Sequence, residues 1–465
     1  MRRHLRCGIA GRRSYRLVRA RAGTGDALGA SGRGGITSPY SRCQHHVTNP
    51  TSAGRLPARA PGHLGTSSHC RRWSGADGAM NDYLAHPDRL WPSNEQRLLL
   101  RAALLDGEEA VAAFQLWHHG IDLEAEFGRS AMRLLPLVCA NLLRLGVNDP
   151  LLGRLKGVYR LTWCENQRLF HKMQPVLAYL RRGGVDLLLL KGAPLVVSYY
   201  RSHALRPMTD VDLAVRPEQL GRALGLLAEL GWHGIKSAPT PDDLRYGHAL
   251  LCTDGFGGEL DLHYHFLRDC LTAAADRWFW SAAEPVDFLG VDALQLEPTA
   301  LLFHTILHGV RWNEETPIRW IPDALSVIRE RGDVIDWERL IDFAAAQELT
   351  HRLALGLTYL GRNFGLNLPA PVWSRLQRCR SGLRERIVNT AVLGNYSRWY
   401  RHPLTKQWMI FADYCGGTKA CGPLDFTVGF SHYLRYRWQL RGRSEILPAV
   451  WRGLRRRLSG TGRTS

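Results

Sequence analysis

None of the ten cysteines stands at C-x-x-C spacing from another. That excludes zinc-ribbon and thioredoxin-type sites, which bring two thiols together over a single turn. Nothing in the chain looks like a small secreted disulfide scaffold, so reduced thiols in a cytoplasmic protein are the expected state. No apolar run reaches the ~18–20 residues of a membrane span. The run TALLFHTILHGV at 299–310 is too short, carries two histidines and reads as a core helix. Those histidines, His304 and His308, share one helix face at i, i+4. The glutamate of an H-E-x-x-H zinc motif does not accompany them. The body of the chain also lacks a basic excess. Formal net charge is +19, yet residues 80–434 carry 38 basic and 39 acidic side chains. Residues 1–79 carry 14 Arg against two Asp, and 435–465 carry nine Arg against one Glu. Contact with nucleic acid or an anionic membrane therefore rests on the basic tails and says little about the middle. No internal repeat is evident.

What is present divides the chain into five parts. Residues 1–79 are rich in Gly, Ser, Pro and Arg with little apolar periodicity, which predicts a disordered basic extension. Their Arg-rich, acid-poor start superficially fits a transit peptide, and the blander reading makes Met80 the working start. Residues 80–182 read as a helical N-terminal part, with Ser93 capping the first helix and Glu95 in its acidic first turn. Residues 183–290 read as a mixed α/β core. Within it VDLLLLKG (185–192) is a buried strand and DVDLAV a second strand. A helix covers 217–230, and HALLCT and ELDLHYHF form a hairpin across DGFGG. Residues 291–434 return to a helical pattern, and 435–465 form a basic tail. There, FSHYLRYRWQLRG reads as a solvated basic helix, with a membrane-surface helix as the alternative.

Four pieces of the α/β core can carry chemistry. Lys191-Gly192 sits where a strand hands over to a helix, a place where backbone N–H groups attract phosphate. Asp210 and Asp212 lie two apart on one strand, so their side chains share a face. Two unpartnered anions there would repel each other and lose hydration, so a cation must sit beside them. Arg206, four residues before Asp210, is one candidate for that cation and a metal ion is another. In ELDLHYH, alternation puts Glu259, Asp261, His263 and His265 on one face, with the histidines more readily explained by local hydrogen bonds than by metal. Two carboxylates from one strand and a third from a neighbour make an oxygen-rich pocket suited to Mg²⁺, or to Mn²⁺ in its place. Asp323, in RWIPDAL, reads as a helix cap or an arginine partner.

In this order the segments LLLLKGAPLVVSYY, LRPMTDVDLAV, ELDLHYHF, HTILHG, RWIPDALSVI and DWERLIDFAAA resemble an uncharacterised bacterial nucleotidyltransferase-like family of the polymerase-β superfamily, over roughly residues 94–370. The resemblance implies an α+β fold: a minimal nucleotidyltransferase mixed sheet with flanking helices, plus helical N- and C-terminal parts. It matches Asp210 and Asp212 to the paired metal carboxylates and Asp261 to the third. The superfamily's usual Gly-Ser start is replaced here by Lys191-Gly192, a substitution the family shares.

The expected activity is Mg²⁺-dependent transfer of a nucleoside monophosphate from a nucleoside triphosphate donor to a hydroxyl acceptor on a small molecule or protein. Asp210 and Asp212 hold the metal, and Asp261 holds it too or takes the acceptor proton. Lys191, Gly192 and Arg206 contact phosphate. The alternative is a non-catalytic accessory protein that binds a nucleotide or partner on a degenerate version of the fold. Phosphotransfer to a small molecule would use the same metal site.

Overall fold

The computed structural model describes residues 90–120, 132–234, 239–311, 313, 316–379, 381–393, 411–412, 414–417 and 423–458. By internal contacts the chain divides into 1–72 and 73–465, and every described residue lies in the second unit. The expected disordered extension falls outside the described residues.

The helical N-terminal part begins with α1 (Asn94–Leu104), and Ser93 caps it as the sequence predicts. The Ser93 hydroxyl accepts from the Gln96 N–H while the Gln96 side chain accepts from the Ser93 N–H, a reciprocal capping box. Next come α2 (Gly107–His119), α3 (Leu135–Arg144) and the 31-residue α4 (Leu152–Arg182). Buried Phe170, Met173, Leu177 and Leu180 recur at three- and four-residue spacing on α4, giving it an apolar stripe to lay on the sheet.

The sheet has seven strands: β1 (Leu188–Leu190), β2 (Val211–Ala214), β3 (His233–Gly234), β4 (Ala249–Thr253), β5 (Glu259–His263), β6 (Ala283–Phe288) and β7 (Val291–Leu296). Their spatial order is β3-β4-β5-β2-β1-β7-β6. The β2–β5 and β1–β7 pairs are parallel and the others antiparallel, so the sheet is mixed. Both faces of its middle are covered, which is why β1 is a run of leucines rather than an alternation. Leu187, Leu189, Val211, Leu213, Leu260 and Leu262 enter a core with α4 and α5 (Leu220–Glu229). Leu188, Leu190, Ala214 and Leu296 enter a larger core on the other face. That second core takes in α1–α3 and the helices that follow the sheet. After α6 (Pro241–Tyr246) and α7 (Ala273–Ser281), these are α8 (Pro298–Gly309), α9 (Trp320–Arg331), α10 (Trp337–Ala346), α11 (Thr350–Phe364) and α12 (Ala370–Arg378). The next helix, α13 (Leu383–Val392), puts Val388 into a separate small cluster with Tyr246, Tyr414 and Tyr433. Two further helices are α14 (Pro423–Arg437) and α15 (Ile446–Leu458).

The fold is therefore α+β with helical parts on both sides of the sheet, and 299–310 is the buried helix expected of it. Two details differ from the sequence reading. The sheet does not stop at 290: β7 runs to Leu296 and wedges between β1 and β6. The β6–β7 hairpin escaped notice because its two-residue turn is Leu289-Gly290, with φ of 55° and 79°. Positive φ at both central residues is the type I′ geometry usually signalled by Asn-Gly, and a leucine hides it.

Candidate functional site

The site lies on β2, the middle strand of the sheet, and on its two neighbours. Register does the assembling. Parallel pairing sets Asp212 opposite Asp261, and antiparallel pairing sets Leu190, the residue before Lys191, opposite Asp212. Asp212, Asp261 and His263 each offer a ligand atom, and these atoms all lie within 4.8 Å of one another. Among the described residues no other trio of His, Cys, Asp and Glu comes together in this way.

The cation at the aspartates is a lysine. Lys191 Nζ lies 2.5 Å from Asp212 Oδ1, and His263 Nε2 lies 3.1 Å from the same oxygen. Asp212 is 6% exposed. Burial alone would push its carboxyl up; the His263 hydrogen bond and the Lys191 charge overcome that and hold it well below the usual range. Asp261 goes the other way. Burial first, then repulsion from Asp212 and Asp210, raise its pKa against the pull of His263 and Lys191. The site thus gathers more carboxylates than Lys191 alone can pair with.

Lys191 reaches Asp212 from an unusual backbone conformation, φ 50° and ψ −111°, at the N-terminus of the turn Gly192–Pro194. That is a glycine-like conformation. Gly192 behind it is a packing requirement: a Cβ there would lie 2.5 Å from Arg206 Nη1 and 2.9 Å from Met208 Cε.

Asp210 precedes β2 rather than lying in it, half-buried, with Thr209 Oγ1 at 3.5 Å. It stands outside the trio, although its charge is felt at Asp261. Arg206 departs from both expectations held for it. Its Nε and Nη2 each donate at 2.9 Å to Asp323 on α9, so this buried guanidinium is committed to a bidentate pair and not to phosphate or to Asp210 and Asp212. Tyr200 donates to the same carboxylate at 2.9 Å, which gives Asp323 the arginine-partner role. The four-residue face expected of ELDLHYH ends with the strand at His263. Glu259 is exposed, and His265 turns away to lie 2.7 Å from Asp276 on α7. His304 is buried, with Nε2 3.1 Å from the Phe266 carbonyl, and burial pushes it down to about 3. His308 is exposed on the same helix, its ring stacked on His304.

Three contributors were not foreseen. Asn166 on α4, fully buried, donates to the carbonyls of His203 and Arg206 and accepts from the Met208 N–H, pinning the loop that leads into Asp210. No spacing in the sequence announces it. Arg319 donates to the Pro207 carbonyl at 3.3 Å from the other side; burial and Arg206 push its pKa down to about 10, against the charges of Asp323 and Asp210. Lys191 as the partner of Asp212 was legible only through the β1–β2 register.

A family described as uncharacterised nucleotidyltransferase matches residues 130–365, about half of the chain and all of the site just described. The chain belongs to that family, and so is a transferase by descent. None of the curated proteins compared with it matches. Among solved structures it is similar to ANT(2'')-Ia in complex with adenylyl-2''-tobramycin, at 15% identity over 38% of this chain and 95% of that one, with a TM-score of 0.26. The solution structure of the antibiotic-resistance factor ANT(2'')-Ia gives 15% identity over 40% and 98%, with a TM-score of 0.27. At such scores the likeness carries no weight for the substrate of this chain.

Proposed function

We propose that the protein transfers a nucleoside monophosphate from a nucleoside triphosphate to a hydroxyl of a small molecule or protein, with Mg²⁺ or Mn²⁺ at the carboxylates. The observation that carries this reading is the Asp212–Asp261 register, which focuses two carboxylates and a histidine beside a lysine. The donor set suits a divalent cation. Asp212 Oδ1 is taken by Lys191 and His263, which leaves Asp212 Oδ2, Asp261 and Asp210 as oxygen donors. The repulsion that raises Asp261 is the charge such an ion would relieve. When bound, the cation would supply charge neutralisation at the phosphoryl oxygens.

The remaining roles fall to side chains of the chain itself. Lys191, on the rim of the carboxylates, neutralises charge on the triphosphate or on the departing pyrophosphate, and Gly192 presents backbone beside it. Asp261 completes the metal set or takes the proton of the acceptor hydroxyl, and its upward shift suits the second role. Arg319, half-buried beside the Asp210 loop, is better placed than Arg206 to meet phosphate. The test is incubation with each labelled nucleoside triphosphate, metal and cell extract. Asp212→Asn is expected to abolish metal-dependent labelling, and unchanged labelling would sink the assignment.

The 2.5 Å Lys191–Asp212 contact favours a second reading, an accessory protein in which the lysine takes the place of the ion. Calorimetry with nucleotide, with and without Mg²⁺, separates the two. Nucleotide binding without product over a broad acceptor screen would select the accessory role.

A further inference from the structure

The first turns of helix α15 present apolar side chains to solvent. Leu447, Val450 and Trp451, at i, i+3 and i+4, are 79%, 42% and 61% exposed. Leu454 and Leu458 continue the same spacing in the sequence, so one stripe would run the length of this 13-residue helix. Arg452, Arg455, Arg456 and Arg457 supply the charge between those positions. A helix patterned like this in a globular protein ordinarily faces its stripe inward. Here the described part of the stripe is exposed instead. Tyr433 of α14 packs edge-on against Tyr246 of α6 at 5.3 Å, and Arg435 pairs with Asp242. The 3₁₀ turn Arg443–Glu445 then leads into α15, which packs on that turn and on α14.

We propose that α15 is a docking element for an anionic lipid surface, lying in the headgroup plane with Leu447, Val450 and Trp451 inserted and its arginines on lipid phosphates. Charge complementarity names the occupant. Residues 435–465 carry nine Arg against one Glu, while the body of the chain is close to neutral, so the basic charge is gathered around this stripe. The stripe itself selects lipid over nucleic acid, because neutralising a phosphate backbone requires no row of exposed Leu, Val and Trp. A tryptophan at the edge of such a stripe suits the headgroup boundary. No helix among the described residues is long and apolar enough to cross a membrane, and α15, at 13 residues, falls short of a span. The inference is independent of the transferase reading.

The experiment is vesicle flotation of the full chain, comparing phosphatidylcholine alone with phosphatidylcholine plus phosphatidylglycerol. Binding is expected only with the anionic lipid, and added salt should weaken it. The double variant Leu447→Ser/Trp451→Ser should lose about tenfold or more in vesicle affinity, since insertion scales with buried apolar area. Arg452→Glu should weaken binding as well. Both changes are at exposed positions, and an unchanged thermal midpoint will confirm that the fold is intact. Absence of binding, or equal binding by the double variant, overturns the proposal. So does binding to duplex nucleic acid that is insensitive to the apolar changes, or a dimer of the wild-type chain that the double variant dissolves, which would make a second copy the occupant.

Discussion

Lys191 concentrates the chemistry of the site in one residue. A non-glycine side chain at φ 50° and ψ −111° carries strain of roughly 1–3 kcal/mol, which persists only where surrounding structure over-determines it. The ion pair to Asp212 is one thing that holds it there. Removing the ammonium leaves Asp212 buried with His263 as its remaining partner among the contacts described. Lys191→Met should therefore destabilise the metal-free protein by about 1–3 kcal/mol at neutral pH, a range set by a buried acceptor losing its charged donor. Because Lys191 then no longer competes for Asp212, the gain in thermal midpoint on adding Mn²⁺ should be larger than in the wild type. Equal gains would show that the lysine and the ion do not share a place. The two aspartates also differ in their pH dependence. Asp212 is depressed on folding, so its contribution is present above the ordinary carboxylate value near 4 and is lost as pH falls through its folded pKa. Asp261 is raised, so folding favours its protonated form, and that contribution is lost as pH rises through its folded value. Asp261→Asn should accordingly stabilise the metal-free protein at pH 7, with the gain fading at acid pH. Urea unfolding at a series of pH values measures this, and a loss of stability at pH 7 would contradict the charge balance described above.

At the scale of elements, the loop before β2 is held from two helices. Asn166 of α4 binds its carbonyls and one amide, and Asp323 of α9 binds Arg206. Arg206 and Asp323 are 8% and 4% exposed. Truncating one partner of a buried pair strands the other charge, at a cost of roughly 3–5 kcal/mol. Asp323→Ala is expected to lose about that much in denaturant unfolding, and the double variant Arg206→Met/Asp323→Leu to recover a good part of it. A double variant no better than the single one would mean that the pair contributes through geometry alone. The Gly192 contact with Arg206 belongs to this clamp. A side chain at 192 would push the guanidinium off Asp323 and disturb the approach to Asp210.

Over the whole molecule, the larger core runs from Leu90 to Leu393 and includes β1, β2 and β7 residues on one face of the sheet. The site lies in the unit Trp73–Ser465, on strands that feed this core, and what binds there should stabilise that unit. Binding to the native state alone stabilises by RT ln(1 + [L]/Kd), about 2.7 kcal/mol at a hundredfold excess. The thermal midpoint should rise with Mn²⁺, and the rise should vanish in Asp212→Asn/Asp261→Asn. A midpoint insensitive to metal in the wild type would favour the lysine-neutralised accessory role.

Much of this was legible from local pattern. Period-two spacing put Asp261 and His263 on one side of β5, Ser93 marked the start of α1, and the two-histidine helix at 299–310 was readable as core. These signals depend on neighbours in sequence, whose geometry is set by backbone dihedrals alone. Turn chemistry that lacks its usual residue was not legible, and Leu289-Gly290 concealed a hairpin and with it the sheet's last two strands. Nor could the sequence choose among cations for Asp212. Arg206 is four residues from Asp210 yet spends its charge on Asp323, 117 residues away in the chain. Lys191 is 21 residues from Asp212 and reaches it because β1 pairs antiparallel with β2. Residue types and faces were determined by the sequence; which opposite charges meet was decided by strand register and helix docking, because a buried charge takes the partner that tertiary packing brings within reach.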